Sequence, residues 1–192
     1  MAIKTFTTGE VLTASDTNTY LANAGLVYVT TATASSGTTL SIDNCFKSTM
    51  DNYLLVITAT ATSSAYGLDI RMRASSTDTS TGYYWGFSRV DIAAGTISAQ
   101  SGSNSTVFAS GAIAGSTGRA SAVVQVINPY LAQYTSFSSQ ATDNRGSAAY
   151  AGIVSGGQLT NTTVYDGFSL MFGGGGGTIS HLSVTVYGYR KA

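Results

Sequence analysis

The sequence predicts an all-β fold: an antiparallel, jelly-roll-like β-sandwich preceded by a short helix on an extended leader. Three observations predict it. After Gly25 the chain is dominated by Thr, Ser, Val, Ile and Tyr, punctuated at short intervals by Gly- or Ser-rich turns. Apolar and polar residues alternate with period two in several stretches, as they do in strands with one buried face. Only the first part of the chain carries a helix signal.

In chain order, the leader comes first. Thr13-Ala14-Ser15-Asp16 fits a capping box, in which a Thr hydroxyl takes a free backbone N–H and the acid three residues on reaches back. The spacing predicts a helix to about Asn23, stopped by Gly25 in a left-handed conformation. A helix of about ten residues does not persist alone, so its apolar residues must pack on something. From Leu26 onward the reading is strand and turn. "GLDIRMRA" puts Leu68, Ile70 and Met72 on one face and Asp69, Arg71 and Arg73 on the other. "SAVVQVIN" aligns Ala122, Val124 and Val126, and "DGFSLMF" aligns Phe168, Leu170 and Phe172. "ISHLSVTVYGYR" buries Leu182, Val184 and Val186 and turns His181, Thr185, Tyr187 and Tyr189 outward. Pro129, which cannot donate to a ladder, ends a strand. Ser98 to Thr106 and Gly173 to Gly177 read as loops, the second a mobile hairpin tip joining the last two strands. About eight to ten strands result, enough for a two-sheet sandwich.

Composition narrows the function. Charged residues make up 9% of the 192, and nine basic residues balance nine acidic ones. An ordinary domain carries about 25% charge, and a surface near zero net charge favours association. An assembly subunit is therefore expected. No run of Lys or Arg forms the basic patch that a phosphate backbone needs, so nucleic acid is not an expected partner. The single cysteine, Cys45, allows no intrachain disulfide. Neither a secretory signal nor a run of about 18 apolar residues is present, so a soluble protein without membrane insertion is expected.

The motifs that invite chemistry are weak. Five glycines followed by "TISHLSV" lack the Lys and the helix of a phosphate loop. The lone His181 has no partners in sequence for catalysis or metal binding, and Cys45 reads as a small buried residue. Glu10 is the only Glu, and the eight Asp are dispersed, many in turn contexts. Sugar-cleaving enzymes hold two carboxylates across the bond, and no such pair is evident, so no catalytic residue, metal or cofactor is assigned. The aromatic run "TGYYWGF" places Tyr83, Trp85 and Phe87 on one strand face and Tyr84 on the other; core packing is the simpler reading. The alternative is a stacking platform for sugar rings, made by Tyr83, Tyr84 and Trp85. Tyr187 and Tyr189, opposite a buried face, are candidates for a subunit interface. Asn104 and Asn161 match the N-glycosylation pattern but carry no weight without a secretory signal.

The leader "FTTGEVLTASDTNTYLANAG" resembles the N-terminal segment of small virion proteins of tailed bacteriophages. "STMDNYLLVI", "INPYLAQYTSFSS", "VYDGFSLMF" and "VTVYGYR" are similar to the same family, in the same order. The resemblance implies a tail-fibre or other virion surface protein, commonly a homotrimer, with no catalytic residues to carry over. Residues 1–27 are then expected to form an attachment segment, through Val11, Leu12, Tyr20 and Leu21, docking on other virion proteins. Residues 28–192 are expected to form the β-sandwich turned toward the host and its surface glycan. A capsid decoration or head-fibre protein is the first alternative, and a tailspike-like glycan-degrading enzyme the second.

Overall fold

The computed structural model describes residues 7–11, 13–16, 25–62, 66–116, 118–144 and 150–190. Thirteen strands run through them: β1 (Leu26–Ala34), β2 (Thr39–Ile42), β3 (Met50–Ala61), β4 (Tyr66–Ala74), β5 (Thr77–Asp78), β6 (Tyr83–Asp91), β7 (Ile97–Ser105), β8 (Phe108–Ala114), β9 (Ala120–Ile127), β10 (Thr135–Asn144), β11 (Tyr150–Leu159), β12 (Gly167–Phe172) and β13 (Ile179–Arg190). Adjacent strands form two layers. The larger follows the order β1-β13-β3-β9-β10-β11-β6-β7, and the smaller the order β8-β4-β12-β2, with β5 folded back on β4. Pairing is antiparallel except for a single parallel bridge, Asn144 to Ala114, which joins β10 to β8 and leaves the sheet nearly closed.

Alternation explains the layering. On β3 the inward side chains are Tyr53, Leu55, Ile57, Ala59 and Ala61, all at most 1% exposed, while Val56 on the other face is 41% exposed. The expected faces on β4, β9, β12 and β13 are the observed ones, with their apolar residues buried. Each large aliphatic or aromatic side chain buried here contributes roughly 1.5–3 kcal/mol. Buried phenols keep their polar ends satisfied. The Tyr53 hydroxyl accepts from Lys47 N at 2.7 Å, and the Tyr83 hydroxyl accepts from Met72 N at 2.7 Å. Phe108 of β8 stacks on Phe137 of β10 at 4.6 Å, filling the space where the layers meet.

The structure has more strands than the sequence reading, and the surplus has a physical cause. Ser98 to Thr106, expected as a loop, is mostly β7; it pairs only with β6, and almost all its residues are exposed. A strand that buries neither face shows no alternation. Serines hide β10 and β11 in the same way, because their inward positions include Ser139 and Ser155. Gly173 to Gly177 does connect the last two strands, but β12 and β13 lie in different layers, so it is a crossover rather than a hairpin tip. Gly173–Gly175 form a 3-10 turn there, and a Cβ on Gly177 would collide with Phe172 and the Tyr66 ring. In the leader, Ala14–Asp16 is the described helical turn, and the expected continuation toward Asn23 lies outside the described residues.

Candidate functional site

A mismatch in one ladder builds a cleft. Gly67 of β4 pairs with Ile113 of β8, yet Asp69 pairs with Ala109, so Leu68 faces the three residues Ser110, Gly111 and Ala112. The extra residues form a bulge that stays buried, and Gly111 takes φ +84°, a conformation that glycine adopts without strain. A bulge frees backbone carbonyls, and buried ones need donors. Serines supply them: Ser110 Oγ donates to Leu68 O at 2.7 Å, Ser139 Oγ to Ser110 O at 3.0 Å, and Ser155 Oγ to Ala109 O at 3.3 Å. These hydroxyls account for the two serines, Ser139 and Ser155, that β10 and β11 place inward.

Over the bulge, the β6–β7 hairpin lies across the small sheet and leaves a half-open cavity of about 310 Å³. Leu68, Val107, Ala109 and Ile113 supply its apolar lining. One wall is the Trp85–Phe87 pair, two residues apart on β6, with ring centroids at 5.8 Å and planes at 4°. The indole lies over Gly102 of β7, where any Cβ would meet the ring. Gln100, exposed on β7, brings an amide to the rim. Asp69 closes the other side. It is 7% exposed, and its Oδ2 accepts from Gly174 N at 2.7 Å. Burial pushes its carboxyl up to about 7, outweighing the opposing pull of the Gly174 N–H and the Arg71 charge. Arg71 holds the same glycine turn, donating from Nε to Thr106 O at 3.1 Å and from Nη2 to Gly174 O at 3.5 Å.

A flat aromatic wall, an apolar floor and two polar groups at the edge suit a neutral ring with an apolar face and a hydroxyl edge. The volume is at the lower end for a small-molecule site. Near neutral pH Asp69 exchanges its proton, so it can either donate to or accept from a hydroxyl.

The three aromatic residues read from "TGYYWGF" fall into three environments. Tyr83 is fully buried with its hydroxyl engaged, and its ring is part of the core. Tyr84, 43% exposed, faces the opposite side of the sheet. Trp85 alone lines the cleft. Phe87, Asp69 and Gln100 were not singled out as ligand-binding residues; the acid inside "GLDIRMRA" was the one available signal. Tyr187 and Tyr189 lie half-buried on the outer face of the large sheet, where the Tyr28 ring meets Tyr187 edge-on at 6.3 Å. Val11 is 77% exposed, and Leu12, Tyr20 and Leu21 lie outside the described residues.

Two groups of dispersed acids do meet in space, each around an arginine. Arg73 binds Asp43 at 2.8 Å and Asp78 at 2.6 Å, and Arg89 binds Asp143 at 3.1 Å and Asp91 at 3.5 Å. In both, the guanidinium occupies the space between the carboxylates. Cys45 is buried, and desolvation pushes its thiol up to about 12. His181 lies within 3.4 Å of the Thr58 hydroxyl. Among the described residues no group of three or more His, Cys, Asp or Glu stands close enough to hold a metal ion, and no helix is long and apolar enough to cross a membrane. No protein-family model and no curated protein sequence matches this chain.

Proposed function

We propose that this chain is a structural protein of a tailed-bacteriophage virion, a tail fibre or adhesin rather than an enzyme. It docks on the particle through residues 1–27 and displays a jelly-roll module toward the host. The observation that carries the reading is the leader, whose "GEVLTASDTNTYL" run resembles the attachment segment of such proteins and precedes the first strand.

Strand order supports the jelly-roll part. Taken in chain order, β1, β2, β3, β4, β8, β9, β12 and β13 make an eight-strand set. The first, eighth, third and sixth adjoin in one sheet, and the second, seventh, fourth and fifth in the other. That is the double Greek-key order of a jelly roll. The β6–β7 and β10–β11 hairpins are inserted into it and widen one sheet only. The cleft at Trp85, Phe87 and Asp69 is then where a host-surface saccharide ring would bind, and other virion proteins and copies of the same chain are the remaining partners.

A truncation starting at Leu26 tests the attachment role, because it leaves β1 whole. The expected result is an unchanged thermal melt with loss of incorporation into particles. A collapsed melt means that the leader packs on its own domain, and the reading of residues 1–27 as an attachment segment then fails.

A further inference from the structure

Across four successive rows, the outward face of the large sheet carries no Asp, Glu, Lys or Arg on the six strands from β1 to β11. Register shows this row by row. One row runs Thr31, Thr185, Val56, Val123, Gln140, Val154 across β1, β13, β3, β9, β10 and β11. The next runs Tyr28, Tyr187, Leu54, Gln125, Ser138, Gly156. The rows on either side add only Thr, Ser, Asn, Gln, Gly, Leu, Ile and Tyr. The described charges lie elsewhere: Asp69, Arg71, Arg73 and Asp78 on the small sheet, Arg89 and Asp143 facing inward, Asp51 and Arg190 at the β3–β13 irregularity beyond the last of these rows, Asp91 at the end of β6, and the others in turns and in the leader. A solvated sheet face ordinarily alternates charge with polarity, and a surface of a small domain carries about 25–35% charged residues.

Apolar groups are grouped within this face. Val56, Val123 and Val154 are 41%, 42% and 63% exposed, and Tyr28 is 60% exposed. Two shallow grooves, about 300 and 540 Å³, run along Val123, Gln140 and Val154 and offer recesses for a partner's side chains. Six strands at about 4.8 Å and four rows at about 6.8 Å span roughly 29 by 27 Å, or roughly 800 Å². That matches the area, about 800 Å² per partner, that a stable protein interface buries.

We propose that copies of this chain meet through this face, sheet against sheet, in the manner of two sheets packed about 10 Å apart within a sandwich. The charge pattern selects the partner. Desolvating a charge-free face against a charged surface leaves that surface's charges unpaired, whereas a second copy presents the same charge-free face. The inference rests on the homo-oligomeric part of the proposed function and names its contact; because the same face meets itself, the contact pairs copies two by two rather than in the threes that the resemblance implies, and it does not depend on where the assembly sits in a particle.

The test is light scattering on the full chain over a concentration series, with Val123→Lys, Val154→Lys and, as a control in an exposed loop off the face, Val164→Lys. Val123 and Val154 point away from the core, so the thermal melt of each isolated subunit is expected to be retained. The expected result is an oligomer that both face variants weaken at least about 30-fold, as a charge buried without a partner does, and that Val164→Lys leaves intact. A monomeric parent at micromolar concentration overturns the proposal. So does an oligomer indifferent to both face variants. A monomeric parent destabilised by Val154→Lys also overturns it, because the face is then covered from within the chain. Particle incorporation, measured separately, reports on the virion reading whichever way the mass comes out.

Discussion

Replacing Asp69 by Asn removes one ionisation from the cleft and leaves its geometry in place. The amide carbonyl still accepts from Gly174 N, as Oδ2 does at 2.7 Å. The parent carboxyl goes from 3.8 in the unfolded chain to about 7 in the folded one, because burial disfavours the charged form. At about 1.36 kcal/mol per unit, that difference corresponds to about 4 kcal/mol. Its sign follows from proton count. Between these two values the folded state holds a proton that the unfolded state has released, so stability falls as pH rises. The contribution is complete below about pH 4 and is gone once pH passes the folded value of about 7. Urea denaturation of parent and Asp69→Asn at pH 5, 6, 7 and 8 isolates the effect, since the difference cancels every other titrating group. Over that range the parent is expected to lose about 2–3 kcal/mol relative to the variant. Stability curves that stay parallel to within about 0.5 kcal/mol would refute the reasoning, because they require a carboxyl that titrates alike in both states.

Asp143→Ala leaves the largely buried Arg89 with only the longer contact to Asp91 at 3.5 Å and is expected to cost about 1.5–3 kcal/mol in chemical denaturation; a loss below about 0.5 kcal/mol would show the pair to be solvated. Tyr83→Phe strips Met72 N of its acceptor in the core and is expected to cost about 1–3 kcal/mol, read from the same curves. Gly102→Ala sets a methyl group against the Trp85 indole, so it is expected to destabilise by about 1–3 kcal/mol and to shift the tryptophan emission. Because Trp85 is the only tryptophan, its fluorescence also reports directly on the cleft. Titration with fragments of host-surface polysaccharide is expected to change the parent's emission saturably, and a flat response at millimolar fragment argues against saccharide in this site.

Strand faces were legible where a strand buries one side and wets the other. In "GLDIRMRA" and "ISHLSVTVYGYR" the period-two pattern by itself determined which side chains enter the core, because a pleated strand has only two faces and water rejects one of them. The leader helix is expected for an equally local reason, its capping residues, and Ala14–Asp16 is the part of it that lies within the described residues. The sparse charge was visible in the composition too, but not its segregation away from one sheet face. That depends on which strands become neighbours, and Val56, Val123 and Val154 come from three parts of the chain. The cleft depended on tertiary structure still more. Asp69 reads from sequence as an ordinary outward residue of an amphipathic strand; it is buried because the β6–β7 hairpin and the glycine crossover close over it. The bulge in β8 and the serines that satisfy its carbonyls are likewise invisible locally, since each hydrogen bond links residues at least 29 positions apart. Local pattern decides which way a side chain points, whereas its environment is set by backbone pairing between distant segments, and that pairing belongs to the fold.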